Sequence, residues 1–352
     1  MNLYLAPMAL AISTFSFASA LVISENTIGT IAFDRTAEDI TVNSGVYYWL
    51  VNNYLTNFGG AFNNNGGFFI TSVNGLASDV LLTGDSFKNS GTFDLNTLGS
   101  QIVSVYNIST TGTFENSGDM YLGVSGGFIV NTPFTVTSGN YWTNTGRMVI
   151  EKDSGPAAPV IIGQNVGKND VHYIANNGAI CLYNVVWDQT TNIIGKGCIG
   201  VGGGSKLRLR ISVDNFSYHI SSSQIINLEA PDAQLDLIGL TRDFLASFPT
   251  IKVAGFGKGN SIKIDHVFKG YIYNPKTGIL KLKFIGPFGL NFDIGKGYDS
   301  SKFSKSGGLE GSSVSYNGTP PKSPPAICSC EKVIPEVDAL MASTSEHNVV
   351  QK

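Results

Sequence analysis

The sequence predicts an all-β protein: a β-helix, or solenoid, followed by a small antiparallel β-sandwich. Three observations predict it. One short phrase recurs in order through residues 62–182. Helical periodicity is absent, while β-branched and aromatic residues are abundant. After about Leu245 the spacing of the apolar runs changes to one strand every ten residues or so.

The recurring phrase is large apolar, any, Asn, any, Gly, any, large apolar. It reads Phe62-Asn-Asn64-Asn-Gly66-Gly-Phe68, then Phe87-Lys-Asn89-Ser-Gly91-Thr-Phe93, then Phe114-Glu-Asn116-Ser-Gly118-Asp-Met120. It returns as Trp142-Thr-Asn144-Thr-Gly146-Arg-Met148 and, more weakly, as Ile174-Ala-Asn176-Asn-Gly178-Ala-Ile180. The asparagines step by 25, 27, 28 and 32 residues, a period characteristic of a solenoid. Each repeat is too small to bury its apolar side alone, and stacking closes a continuous core. Gly permits positive φ at the turn, and Asn tolerates it. Stacked at the strand spacing, the asparagines are placed to form an amide ladder, and Phe87, Phe114 and Trp142 an aromatic stack.

Taken in order, residues 1–20 read as a secretory peptide. Leu3 to Phe17 is largely apolar, and Ala18-Ser19-Ala20 is a small-residue cleavage signal. Residues 21–245 are assigned to the β-helix. Leu21 to about Asp39 serves as its first cap and strand, and Ile40 to Val51 opens the coils with its own Asn43-Ser-Gly45 turn. Asn192 to Lys206 is a glycine-dense turn. Lys206 to Val213 alternates as a half-exposed strand, and Gln224–Leu228 and Gln234–Ile238 are the last rungs. About nine coils stack into a rod of ~40 Å at the strand spacing. Residues 246–303 carry short strands with Gly-rich turns and are assigned to the sandwich. Residues 304–352 read as a Ser/Gly/Pro-rich tether bearing Cys328 and Cys330, then a disordered tail.

Composition narrows the function classes. Charged residues make up 14% of 352 and the net charge is −3, which argues against a nucleic-acid partner, since that wants a basic face. No apolar run after the leader reaches the ~18 residues needed to span a bilayer. Residues 339–352 are polar and lack the apolar tail that directs lipid-anchor attachment. In a secreted chain, Asn107-Ile-Ser109, Asn215-Phe-Ser217 and Asn317-Gly-Thr319 are glycan acceptors, the last weakened by Pro320. The four cysteines are Cys181, Cys198, Cys328 and Cys330. Cys328 and Cys330 are too close to bridge each other comfortably, so each is expected to bond one of Cys181 and Cys198. Which takes which is open.

Catalytic and cofactor chemistry is mostly not found. Gly195-Lys-Gly197-Cys-Ile-Gly200 fits the dinucleotide-binding spacing, but no βαβ unit surrounds it. It reads as a glycine turn around a bridged Cys198. His172, His219, His266 and His347 are scattered without metal or catalytic spacing. Many β-helices cleave acidic polysaccharides with carboxylates aligned across coils. Asp94, Glu115, Asp119 and Glu151 stand at different offsets from their Asn-x-Gly anchors, and Asp232 and Asp236 share one strand face, as many solvated pairs do. No catalytic, cofactor or metal residues are assigned.

Several phrases together resemble one family. They are Ser44-Gly-Val-Tyr-Tyr-Trp49, the Asn-x-Gly coils, Ile180-Cys-Leu-Tyr-Asn184 with Gly197-Cys-Ile199, and Val253-Ala-Gly-Phe-Gly-Lys-Gly-Asn260. Tyr271-Ile-Tyr-Asn-Pro-Lys-Thr-Gly-Ile-Leu280 and Phe292-Asp-Ile-Gly-Lys-Gly-Tyr-Asp299 complete them. Over about residues 21–330 the chain resembles the N-terminal domain of the yeast hyphally regulated cell wall proteins. The resemblance implies a right-handed parallel β-helix followed by a small β-sandwich, an adhesin-like role at a fungal cell surface, and no known catalytic residues. The expected partner is a surface ligand of unknown identity: a host surface, a glycan or a neighbouring wall component. Family members usually continue into a Ser/Thr-rich stalk and a lipid-anchor signal. This chain carries neither, so it is expected to be either a released member or the head of a longer product. The rival readings are a polysaccharide-cleaving enzyme and a purely structural wall component.

Overall fold

The computed structural model describes residues 20–30, 33–129, 131–164, 173–210, 218–240, 248–286, 288–308 and 311–330. The leader through Ser19, Asn215, His172, His347 and the tail beyond Cys330 lie outside the described residues.

Each repeat folds as three short strands joined by corners, and each strand pairs in parallel with its equivalents one coil before and after. In the fourth coil they are Ser86–Asn89, Thr92–Thr97 and Tyr106–Thr110. Stacking produces three sheets of 8, 13 and 12 strands among the described residues. The first contains the Asn phrase, the second the apolar run after it, and the third the last strand of each coil. The fourth coil turns Phe87, Phe93, Leu95, Tyr106 and Ile108 inward, all fully buried. Burial of each such side chain stabilises by about 1.5–3 kcal/mol. One continuous apolar core runs from Ile23 to Tyr316. The chain is therefore a parallel β-helix.

The register aligns the repeated phrase. Asn64, Asn89, Asn116, Asn144 and Asn176 lie in one column of the first sheet. Each side-chain amide donates to the carboxamide oxygen of the next at 2.8–2.9 Å, from Asn64 to Asn176. Each also donates to a backbone carbonyl of the coil above, as Asn116 does to Arg147 at 3.2 Å. Beside the ladder, Phe62, Phe87, Phe114 and Trp142 stack at centroid distances of 5.5, 5.0 and 4.9 Å.

Two details differ from the sequence reading. The glycines of the column do not take positive φ. They are required because a Cβ on Gly91, Gly118, Gly146 or Gly178 would overlap the carbonyl oxygen of the column glycine one coil below. Asn43 is not a member of the column: Val42 pairs with Asn64, so Asn43 lies one step beyond it, in a turn where Gly45 does take φ +80°. The ladder ends on Gln224. Its carboxamide accepts from Asn176 at 3.2 Å and donates to the backbone oxygens of Asn176 and Ile194 at 2.6 and 2.9 Å.

The two ends also differ. Leu21–Ile23, Thr27–Gly29 and Phe33–Thr36 each join a different sheet, so the expected cap is itself a coil. At the other end, Ile251–Ala254 and Ser261–Ile264 are a further parallel rung. The second sheet holds ten parallel rungs from Thr27–Gly29 to Ile251–Ala254. The remaining strands make no self-contained sandwich. Gly289–Asp293, Ile279–Lys283 and Gly270–Asn274 extend the second sheet, the last two antiparallel. Gly311–Tyr316 and Phe303–Gly308 extend the third sheet as an antiparallel hairpin. Phe303 joins the two extensions, with its ring 4.9 Å from Tyr316 and 5.4 Å from Tyr273. Short strands with Gly turns announce antiparallel pairing, but spacing does not say which sheet edge they take. Likewise, the Ser/Gly stretch expected as a tether is strand over 303–308 and 311–316, where Ser304 meets Ser315 at 2.8 Å and Ser306 meets Ser313 at 2.7 Å.

Candidate functional site

After Tyr316 the chain turns back along the outer face of the second sheet as a proline-rich strap. A Cβ on Gly257 or Gly297 would press on Pro320 or Pro321, so these glycines let the strap lie close. The strap ends in one turn of 3₁₀ helix, Ala326–Cys328. Cys328 is joined to Cys198 and Cys330 to Cys181, with Cα–Cα distances of 5.1 and 5.8 Å. Cys181 and Cys198 lie on adjacent rungs, since Cys198 pairs with Ala179 and Cys181 with Gly200. Their outward side chains thus meet two strap cysteines spaced by one residue. Gly200 leaves room for this, because a Cβ there would meet the Cys330 sulfur at 2.7 Å and Glu229 Oε1 at 2.5 Å.

Beneath the strap lies a cleft in two compartments of about 610 and 210 Å³, which share Gly255, Pro321, Lys322 and Ser323. The larger compartment is polar. Glu229 lies on its wall, accepting from the Tyr183 hydroxyl at 2.9 Å and from Asn227 Nδ2 at 3.2 Å. Burial pushes the Glu229 carboxyl up from its ordinary value, and those two hydrogen bonds partly oppose the shift. Burial likewise raises the Tyr183 phenol, assisted by the adjacent Glu229 charge. Asn227 is only 2% exposed, and its Oδ1 has no hydrogen-bond partner. Asn260 is held by Leu228 and Gly255 carbonyls and by the Gly257 N–H. Lys258 and Lys322 stand exposed at the rim. The smaller compartment is apolar, walled by Ile225, Ala254, Pro321 and Pro325, with Lys252 and Lys296 at its edge.

Two other outer features are open. A polar groove of about 350 Å³ follows the first sheet past Asn63, Lys88, Glu115 and Thr143. Along the corners between the second and third sheets, Tyr54, Leu76, Ile102 and Phe128 border an apolar hollow of about 240 Å³, with Phe128 89% exposed.

The carboxylates weighed for catalysis are dispersed. Asp94 is buried in the second sheet. Glu115 faces Lys88 at 3.8 Å, and Asp119 pairs with Arg147 at 3.1 Å. Glu151 lies in register with Tyr183, and Asp232 accepts from the Gly204 N–H at 2.9 Å. Asp236 faces Arg208 at 3.6 Å. Gly195 to Gly200 form a corner and the strand Cys198–Val201, with no helix after them. His266 pairs with its neighbour Asp265 at 2.8 Å, and the carbonyl of His219 accepts from Ile193 at 2.8 Å. Among the described residues no group of three or more His, Cys, Asp or Glu is arranged to hold a metal ion. No helix there is long and apolar enough to cross a membrane. Asn107 is half-buried on the third sheet, its Oδ1 accepting from Ser109 at 2.6 Å, and Asn317 is exposed. Sequence reasoning anticipated the strap's attachment through its cysteines. It missed Asn227, Glu229 and Asn260 as site residues: the first two stand two apart at the end of one strand, and Asn260 precedes a strand of the next coil.

A parallel β-helix whose C-terminal strap is disulfide-bonded to its own sheet defines an extracellular-type solenoid protein. Residues 11–338 match the family described as hyphally regulated cell wall protein N-terminal, and the chain belongs to that family. It is 33% identical over 328 residues to cell wall protein RBR3 of Candida albicans, covering 88% of this chain and 20% of that protein. It is 34% identical over 328 residues to hyphally regulated cell wall protein 3 of the same organism, covering 88% and 25%. Cell wall protein IFF7 is 33% identical over 337 residues, covering 89% and 44%. The chain thus spans less than half the length of these curated relatives.

Proposed function

We propose that the chain is a secreted, non-catalytic, adhesin-like protein of the fungal cell wall, whose β-helix is a rigid platform presenting a binding surface. The observation that carries this reading is the family match over residues 11–338, with relatives named as cell wall proteins. The fold supports it physically. A solenoid with an amide ladder, a continuous core and a disulfide-bonded strap holds outward residues at fixed spacings, and such preorganisation lowers the entropy lost on binding. In this reading the leader is removed after Ala20, and Asn107, Asn215 and Asn317 accept N-glycans that keep the rod soluble among wall polymers.

Beads coated with the purified chain test it. Saturable adhesion to cells or immobilised wall and host glycans is expected, with no release of reducing ends from a polysaccharide panel. Absence of adhesion to every surface rejects the adhesin role. Release of reducing ends that disappears in Glu229→Gln rejects the non-catalytic one.

A further inference from the structure

We propose that the cleft beneath the disulfide strap is a binding site for anionic saccharides, such as uronic-acid oligomers. The proposal rests on the reading of the chain as a non-catalytic surface-binding protein, and it names the site and the ligand class.

Four features of the cleft point to that chemistry. First, four lysines, Lys252, Lys258, Lys296 and Lys322, surround the two compartments, against Glu229 and Asp293. None of the four lysines forms an ion pair among the described residues. In a chain of net charge −3 this is a local cationic rim, and it favours an anion. Second, the floor offers acceptors. Each Glu229 carboxylate oxygen retains acceptor capacity beyond the Tyr183 and Asn227 bonds. A ligand hydroxyl in the cleft can donate to this carboxylate, which Asn227 holds in place through its Nδ2 at 3.2 Å. Third, the smaller compartment has apolar walls of Ile225, Ala254, Pro321 and Pro325, suited to the C–H face of a pyranose ring. Fourth, both compartments are closed on one side by a strap held through Cys328 and Cys330, so the site is preformed. Hydroxyl donors, one apolar face and a negative charge on one molecule describe an acidic sugar. Inorganic phosphate lacks the apolar face, and a neutral glucan lacks the charge.

The test is calorimetric titration of the purified chain with trigalacturonate, with laminaritriose and with inorganic phosphate. Trigalacturonate is expected to bind at least tenfold more tightly than either of the others, and more weakly as ionic strength rises. The exposed double substitution Lys258→Ala/Lys322→Ala is expected to weaken it at least tenfold without changing the melting temperature. Asn227→Ala is expected to weaken it as well, and Lys88→Ala in the distant first-sheet groove to leave it unchanged. No trigalacturonate binding, equal affinity for laminaritriose or phosphate, or full affinity in the double lysine variant would each overturn the proposal. The bead assay with the same double variant separates the two readings. Wild-type adhesion that survives the substitution removes the cleft and leaves the adhesin, whereas wild-type beads that adhere to nothing remove the adhesin.

Discussion

Asn116 sits in the middle of the amide ladder, accepting from Asn89 and donating to Asn144 and to the Arg147 carbonyl. Asn116→Ala strands polar groups on both neighbouring coils away from water. Its expected cost is about 2–3 kcal/mol in denaturant unfolding. Asn64→Ala is expected to cost less, because Asn64 is the first rung of the ladder and its own Oδ1 already lacks a partner. The column glycines separate space from torsion. Gly118→Ala places a Cβ onto the Gly91 carbonyl and is expected to cost about 3 kcal/mol or more, by forcing two coils apart. Gly99→Ala has open space and no positive φ, and should change stability by no more than about 0.5 kcal/mol. Thermal melts of the two variants check the contrast. Three carboxyls, Asp79, Glu229 and Asp236, are raised by burial above their ordinary values. Each binds its proton more readily folded than unfolded, so its contribution to stability grows as pH falls through the raised value and is lost as pH rises through it. The window lies above the ordinary values of 3.8 and 4.5. Asp299 runs the other way, held down by the N–H and hydroxyl of Ser301. The expected balance is a melting temperature that rises on mild acidification from neutral pH, and a fall would contradict it.

At the scale of elements, the strap is the part whose order depends on covalent bonds. Pro320 to Pro325 add no strand pairing, and the segment is fastened to the second sheet through Cys328 and Cys330. Cys328→Ser/Cys330→Ser is expected to make residues 317–330 rapidly cleavable by protease while the β-sheet circular dichroism of the solenoid persists. Loss of the sheet signal in that variant would mean that the strap holds the rungs themselves together. The recurring Asn and its flanking aromatics were legible in the sequence because stacked coils repeat the same environment at a fixed period. The glycines were legible as positions but not for their reason, since close approach between coils leaves the same residue type as a left-handed turn. Gln224 as the end of the ladder was not legible, because it reaches Asn176 from outside the repeated phrase. The strands after Leu245 were legible as strands, yet Ile251–Ala254 and Ser261–Ile264 look no different in sequence from members of a separate sheet pair. The cleft was illegible because Tyr183, Asn227 and Asn260 are aligned by coils of unequal length, and Lys322 reaches them only through the strap's return path.

On the scale of the whole molecule, ten parallel rungs of the second sheet set a rod of about 43 Å at the strand spacing. The antiparallel extensions lie at one end of that rod, and the strap doubles back from them toward its middle. Cys330 is bonded to the seventh rung and Cys328 to the eighth. Anything joined to the chain after residue 330 is therefore moored on the side of the rod, at its seventh and eighth rungs, not at its tip. A pull on such a mooring enters the sheet through covalent bonds at the seventh and eighth rungs. A rod held there leaves its first six rungs projecting beyond the mooring. Single-molecule stretching from residue 330 should accordingly show a short, stiff response under oxidising conditions, and a longer extension at lower force once both disulfides are reduced.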